Sequence, residues 1–137
     1  MSGRGAVSDE VERAVALLGP LEGRIMRAVW TGQIGTVGEP FVVRDVLPLV
    51  PELAYTTVMT TLRRLADKRL LTARAEPGRR AHEYRAVAPT AYLADASARE
   101  AAEVVDRYGD AALAAFAARL SGLSAEQRRR LEELAGQ

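Results

Sequence analysis

The sequence predicts a mainly α fold carrying one small β-hairpin, followed by an all-helical region. Three observations predict it. Apolar residues recur at helical spacing in separate stretches before residue 70. Alternating runs then flank Pro77-Gly78, a turn signal. From Pro89 onward alanine dominates and strand signals vanish.

The elements follow in order. Residues 1–17 read as an N-terminal extension, in which "SDEVERAVALL" can form an amphipathic turn or two with Ser8 as N-cap. This segment is expected to be loosely held or to pack in a dimer. "GPLEGRIMRAVW" begins a helix at Pro20, a favoured first-turn residue. Leu21, Ile25, Ala28 and Val29 give its apolar stripe, with Met26 and Trp30 beside them, and Thr31-Gly32 stops it. "PFVV" reads as a short strand. "VRDVLPLVP" reads as a short second helix with Val43, Val46, Leu47 and Val50 on its apolar side, confined by Pro48 and Pro51.

The third helix, "LAYTTVMTTLRRLADKRLL", is unusual. Thr56, Thr57, Thr60 and Thr61 crowd its first turns, although a branched Cβ makes Thr a mediocre helix former. With Val58 as the zero of a helical wheel at about 100° per residue, Tyr55, Leu62, Leu65 and Ala66 cluster on its apolar side. Thr56, Thr60, Arg63 and Asp67 face the other way, flanked by Thr57 and Arg64 on one side and Met59 on the other. Two strands follow. Leu71, Ala73 and Ala75 alternate with Thr72, Arg74 and Glu76; His82, Tyr84 and Ala86 alternate with Ala81, Glu83, Arg85 and Val87. Beyond Pro89 two or three helices are expected, broken at Gly109 and Ser121-Gly122, with "SAEQ" from Ser124 as a capping box for the last.

Helix, short strand, two helices, then a hairpin is the order of a winged helix-turn-helix, with the third helix as reading element and the hairpin as wing. The expected division is an extension at 1–17, a winged helix DNA-binding domain at 18–89 and a helical dimerisation region at 90–137.

Charge bears on what such a fold would bind. The chain carries only a +1 net charge, but residues 63–85 hold 8 basic against 3 acidic side chains. A local basic patch on a near-neutral chain is an anion-binding footprint. Short hydroxyls let a helix backbone approach base edges and phosphates, and the methyl of Thr suits thymine. The candidate DNA-contact residues are therefore Tyr55, Thr56, Thr57, Met59, Thr60, Arg63 and Arg64 on the helix, and Arg79 and Arg80 beside the wing turn. The plain structural alternative is that Thr57 or Thr60 bonds back to the helix and the arginines are solvated. Leu113, Phe116, Leu120 and Leu123 lie on or near one helical side and are the candidate dimer contacts.

Other classes find less support. At 48% hydrophobic and 27% charged, the chain has enough for a core and is too charged to be membrane-embedded. No apolar run approaches the roughly 20 residues of a membrane span. The N-terminus carries acids early and lacks an apolar signal core. The absence of cysteine excludes disulfides and thiolate metal sites. A cytoplasmic protein without cofactor or metal is expected. For an enzyme there is one histidine, His82, no nucleophile–base pairing, and in "GQIGTVG" no Lys-Ser/Thr to make a P-loop. A winged helix used only as a protein-interaction module would have an apolar or acidic third helix. A regulator with a small-molecule pocket remains an alternative, against which the small Ala-rich helices weigh.

"LGPLEGRIMRAVW", "LAYTTVMTTLRRLADKRLL" and "RRAHEYRAV", in this order, resemble the first helix, the reading helix and the return wing strand of the BlaI/MecI family of penicillinase repressors. The resemblance covers about residues 18 to 135. It implies a homodimeric repressor on an inverted-repeat DNA operator, paired through its C-terminal helices. It also implies a membrane-bound sensor metalloprotease that detects β-lactam and cuts the repressor at an Asn-Phe bond. Ala115-Phe116 stands at that position, keeping Phe and lacking Asn. Copper-responsive relatives carry paired cysteines, which this chain lacks. Where many members have Gly, this chain has Arg69.

Overall fold

The computed structural model describes residues 2–75 and 82–136, and the side chains from residue 9 onward. Its elements run α1 (Ser2–Val15), α2 (Pro20–Trp30), α3 (Val43–Val46), a 3-10 turn (Leu47–Leu49), α4 (Tyr55–Asp67), β1 (Leu71–Ala75), β2 (His82–Ala86), α5 (Pro89–Tyr108), α6 (Asp110–Ser121) and α7 (Ala125–Ala135). Three helices leading into an antiparallel hairpin make a winged helix, and further helices follow. Two compact units are present, Met1–Asp95 and Ala96–Gln137.

The core of the first unit is built by the apolar stripes of three helices. Ile25, Met26, Val29 and Trp30 of α2 are buried with Val43, Val46 and Val50, and with Val58, Leu62 and Leu65 of α4. Leu70 and Leu71 close it at the start of the hairpin. The Trp30 indole N–H donates to the carbonyl of Val87 at 2.8 Å, so a buried polar atom is satisfied and α2 is tied to the exit of β2.

Three elements depart from their sequence patterns. Residues 2–15 form one long helix docked on α2, not a loose extension. Val11 and Ala14 are buried there, and Glu12 holds Arg27 of α2 through two oxygens at 3.0 and 2.8 Å. Ser8 therefore lies inside the helix and is no N-cap. Gly23 marks the crossing, because a Cβ there would meet Val15 Cγ1 at 3.1 Å. The "PFVV" strand shrinks to a single bridge, Phe41 opposite Tyr84. Its continuation is taken by α3, whose first turn is fixed by Asp45 accepting the Val42 N–H at 2.9 Å. The short second helix splits, with Pro48 inside a 3-10 turn.

The hairpin pairs Leu71 with Ala86, Ala73 with Tyr84 and Ala75 with His82 on one face. Thr72–Arg85 and Arg74–Glu83 occupy the other. The Pro77-Gly78 turn lies outside the described residues.

In the second unit, α5 and α6 part at Gly109, whose φ of 60° and ψ of −135° suit glycine alone. Ser124 caps α7 through the Gln127 N–H at 3.1 Å, and Gln127 returns the bond at 3.0 Å.

Candidate nucleic-acid interface

α4 divides its faces sharply. Val58, Thr61, Leu62 and Leu65 are buried. Thr56, Thr57, Thr60, Arg63 and Arg64 are all exposed, and Met59 is half-buried between the two sides. The threonines thus have two physical roles. Thr61 belongs to the core and satisfies its hydroxyl by donating to the Thr57 carbonyl at 2.8 Å. Thr56, Thr57 and Thr60 are exposed, and of these Thr56 lies in the first turn, where helix N–H groups point outward.

Tyr55 and Ala66 differ from the wheel. Tyr55 is half exposed, since as the first helical residue it overhangs the core that Val58 and Leu62 fill. Ala66 is only partly covered. The exposure of Tyr55 puts it beside the hydroxyl face.

The wing and α4 are electrostatically joined. Burial pushes the Tyr84 phenol upward, the Arg63 guanidinium draws it back, and Tyr55 adds to the rise. Those two α4 side chains therefore act on a residue of β2. The Tyr84 ring is braced by Phe41 at 6.1 Å and by His82 at 6.3 Å between centroids. Beside Tyr84 and Pro40, the Thr72, Arg74, Glu83 and Arg85 side of the hairpin lines a shallow cleft of about 200 Å³. Arg74 and Arg85 are exposed there, and the sequence reading passed over them. Their strand alternation within the basic stretch 63–85 was the available signal. Arg79 and Arg80 lie outside the described residues.

The other predicted surface is in the second unit. Leu113, Phe116 and Leu120 are exposed at 53%, 41% and 51%, and Leu123 is half-buried. Val104, Tyr108, Leu131 and Leu134 are exposed as well, and were also passed over. Their i,i+4 and i,i+3 spacings on α5 and α7 could have revealed them. Ala115, beside Phe116, is exposed within α6.

No group of metal-binding side chains occurs among the described residues, and no helix among them is long and apolar enough to cross a membrane.

The fold and its exposed hydroxyl-and-arginine helix define a winged helix protein of the kind that regulates transcription. The family model described as penicillinase repressor matches residues 18–137, and the chain belongs to that family. Its members are regulatory repressors of transcription, not enzymes. α1 precedes the matched segment. No curated protein matches the chain.

Proposed function

We propose that this protein represses transcription as a cytoplasmic homodimer that reads an inverted-repeat operator with α4. The observation that carries this reading is the composition of the free face of α4. Thr56, Thr57, Thr60, Arg63 and Arg64 stand exposed on a helix whose other side is sealed into the core. Short hydroxyls and guanidinium groups are what base edges and phosphates accept. Tyr55 and Met59 flank that face. Arg79 and Arg80 supply phosphate contacts from the wing. Leu113, Phe116, Leu120 and Leu123 pair the two copies, so that residues 90–137 act as the dimerisation region and 18–89 as the DNA-binding domain. Cleavage at Ala115-Phe116 by a membrane-bound sensor metalloprotease, in response to β-lactam or cell-wall stress, would release the operator.

The test begins with wild-type protein and a randomised duplex library, from which repeated selection should enrich one symmetric sequence. Thr56→Ala, Thr60→Ala and Arg63→Ala should each lose about 1–3 kcal/mol on the enriched duplex and less on random DNA. Arg79→Ala and Arg80→Ala should weaken both alike and flatten the salt dependence. An unchanged preference in Arg63→Ala would remove α4's exposed face from the reading role.

A further inference from the structure

The C-cap of α4 and the turn that leads into its N-terminus are both tied to the same neighbouring helix. Lys68, the C-cap of α4 and the chain's single lysine, places Nζ 2.8 and 3.1 Å from the two carboxylate oxygens of Glu22 on α2. Two residues further along α2, Arg24 reaches the segment that leads into the N-terminus of α4. One arm of its guanidinium donates to Glu52, and the other to the Leu49 carbonyl at 2.7 Å. The Glu52 carboxyl is held below the ordinary range, first by a backbone N–H and then by Arg24. These contacts span 46, 28 and 25 residues of sequence, so they are tertiary restraints and not local helix pairs. Glu22 is the least exposed member, with 16% of its side chain open to solvent.

We infer that Glu22 and Arg24 are positioning residues for DNA reading, holding α4 at its C-cap and through the turn before its N-terminus without touching DNA themselves. The inference rests on α4 being the reading helix, as proposed above. The core side of α4 is held by the buried Val58, Leu62 and Leu65. Apolar packing tolerates small slides and rotations better than directional bonds do. Base readout requires side chains to be held to within a fraction of an ångström, and supporting hydrogen bonds supply that precision. Two charged clamps, one at the α4 C-cap and one on the turn before its N-terminus, oppose rotation about the core contact. The Glu22 pair also neutralises Lys68, turning a cation at the helix end away from the phosphate-contact set and toward the protein. Arg24, Glu52 and Lys68 are each about half open to solvent, and ion pairs with such partners contribute little to global stability. Their effect should therefore appear in sequence discrimination more than in melting.

The test uses the full chain, the duplex enriched by the wild type, and a random duplex of equal length. Glu22→Ala and Lys68→Met should each lower the ratio of enriched-duplex to random-duplex affinity by about fivefold, and the double variant should be no worse than either single. Glu22→Ala is the discriminating member. It removes a negative charge, so generic electrostatics alone would strengthen binding to all DNA, whereas lost positioning weakens the enriched duplex selectively. Should Glu22→Ala fail to fold, Glu52→Gln tests the clamp at the other end from an exposed turn and should lower the same ratio. Melting curves of the folded variants should stay close to the wild type. Equal loss on both duplexes in Lys68→Met, with an undiminished ratio in Glu22→Ala, would show Lys68 to be a phosphate contact and overturn the inference. Additive losses in the double variant would overturn it as well. If the wild type enriches no sequence, the reading role of α4 fails and the inference falls with it. Enrichment combined with an intact ratio in the variants overturns the positioning role alone.

Discussion

Arg69 is the only non-glycine residue with positive φ among the described residues, at 69°. It follows the Lys68 cap, where a helix commonly ends in a left-handed residue and glycine is favoured. An L side chain there costs on the order of 1 kcal/mol. Its guanidinium lies 3.5 Å from Asp95 of α5, a largely exposed pairing that returns little. Arg69→Gly should therefore raise the unfolding free energy, by up to about 1 kcal/mol after the added freedom of the unfolded chain is subtracted. Urea denaturation measures it, and an unchanged or lower midpoint would show that the Asp95 contact outweighs the strain. Residue identity was legible here as a departure from the family pattern. The backbone angle was not, because it depends on where α4 ends and β1 must begin.

At the scale of elements, α1 shows how a weak pattern becomes a firm helix. Its sequence carries three glycines or serines before residue 6, poor helix formers all. It is held by Val11 and Ala14 in the interface with α2, by the close approach at Gly23, and by the Glu12–Arg27 fork. The hydrogen bond from Arg27 draws the Glu12 carboxyl below its ordinary value, burial opposes it, and the Arg27 charge adds to the lowering. A lowered folded-state value means that the fork stabilises the protein above the usual Glu range and ceases to do so as pH falls through it. The partner shift agrees in sign: Glu12 raises Arg27, which stays charged throughout that window. Glu12→Gln should thus lower the denaturation midpoint at neutral pH and leave it near the wild type in acid. Parallel curves at all pH values would show that the fork does not link folding to this titration. Hydrogen exchange at residues 9–15 should rise in the same variant, since α1 loses the Glu12–Arg27 tether.

For the molecule as a whole, the apolar residues left open on the second unit are the feature with most consequence. Val104, Tyr108, Leu113, Phe116, Leu120, Leu131 and Leu134 are each more than a third exposed. Large apolar patches on a single chain mark interaction surfaces. A chain ending at Ala115 loses Phe116, Leu120 and all of α7. In sedimentation it should be mostly monomeric where the full chain is dimeric. Its operator affinity should fall steeply, because two linked half-site bindings become independent events. The winged helix unit, with its own core, should remain folded by circular dichroism. If the shortened chain dimerises and binds as tightly as the full one, cutting at Ala115-Phe116 cannot be the release switch.

Every feature that depends on local periodicity or chemistry is legible along the chain. The α2 start at Pro20, the amphipathic division of α4, the strand alternation, the Gly109 break and the Ser124 cap are all encoded within a few residues of where they act. The remaining features depend on long-range packing. It made α1 a docked helix through contacts with α2. It reduced "PFVV" to one bridge, because only Phe41 finds a partner carbonyl and N–H on Tyr84. It buried Thr61 while exposing Thr57 and Thr60, and it left Tyr55 beyond the edge of the core. It brought Glu22 to Lys68 and Arg24 to Glu52 across dozens of residues. A charge pattern in sequence has no preferred distant partner, and only the packing of α2 against α4 selects one.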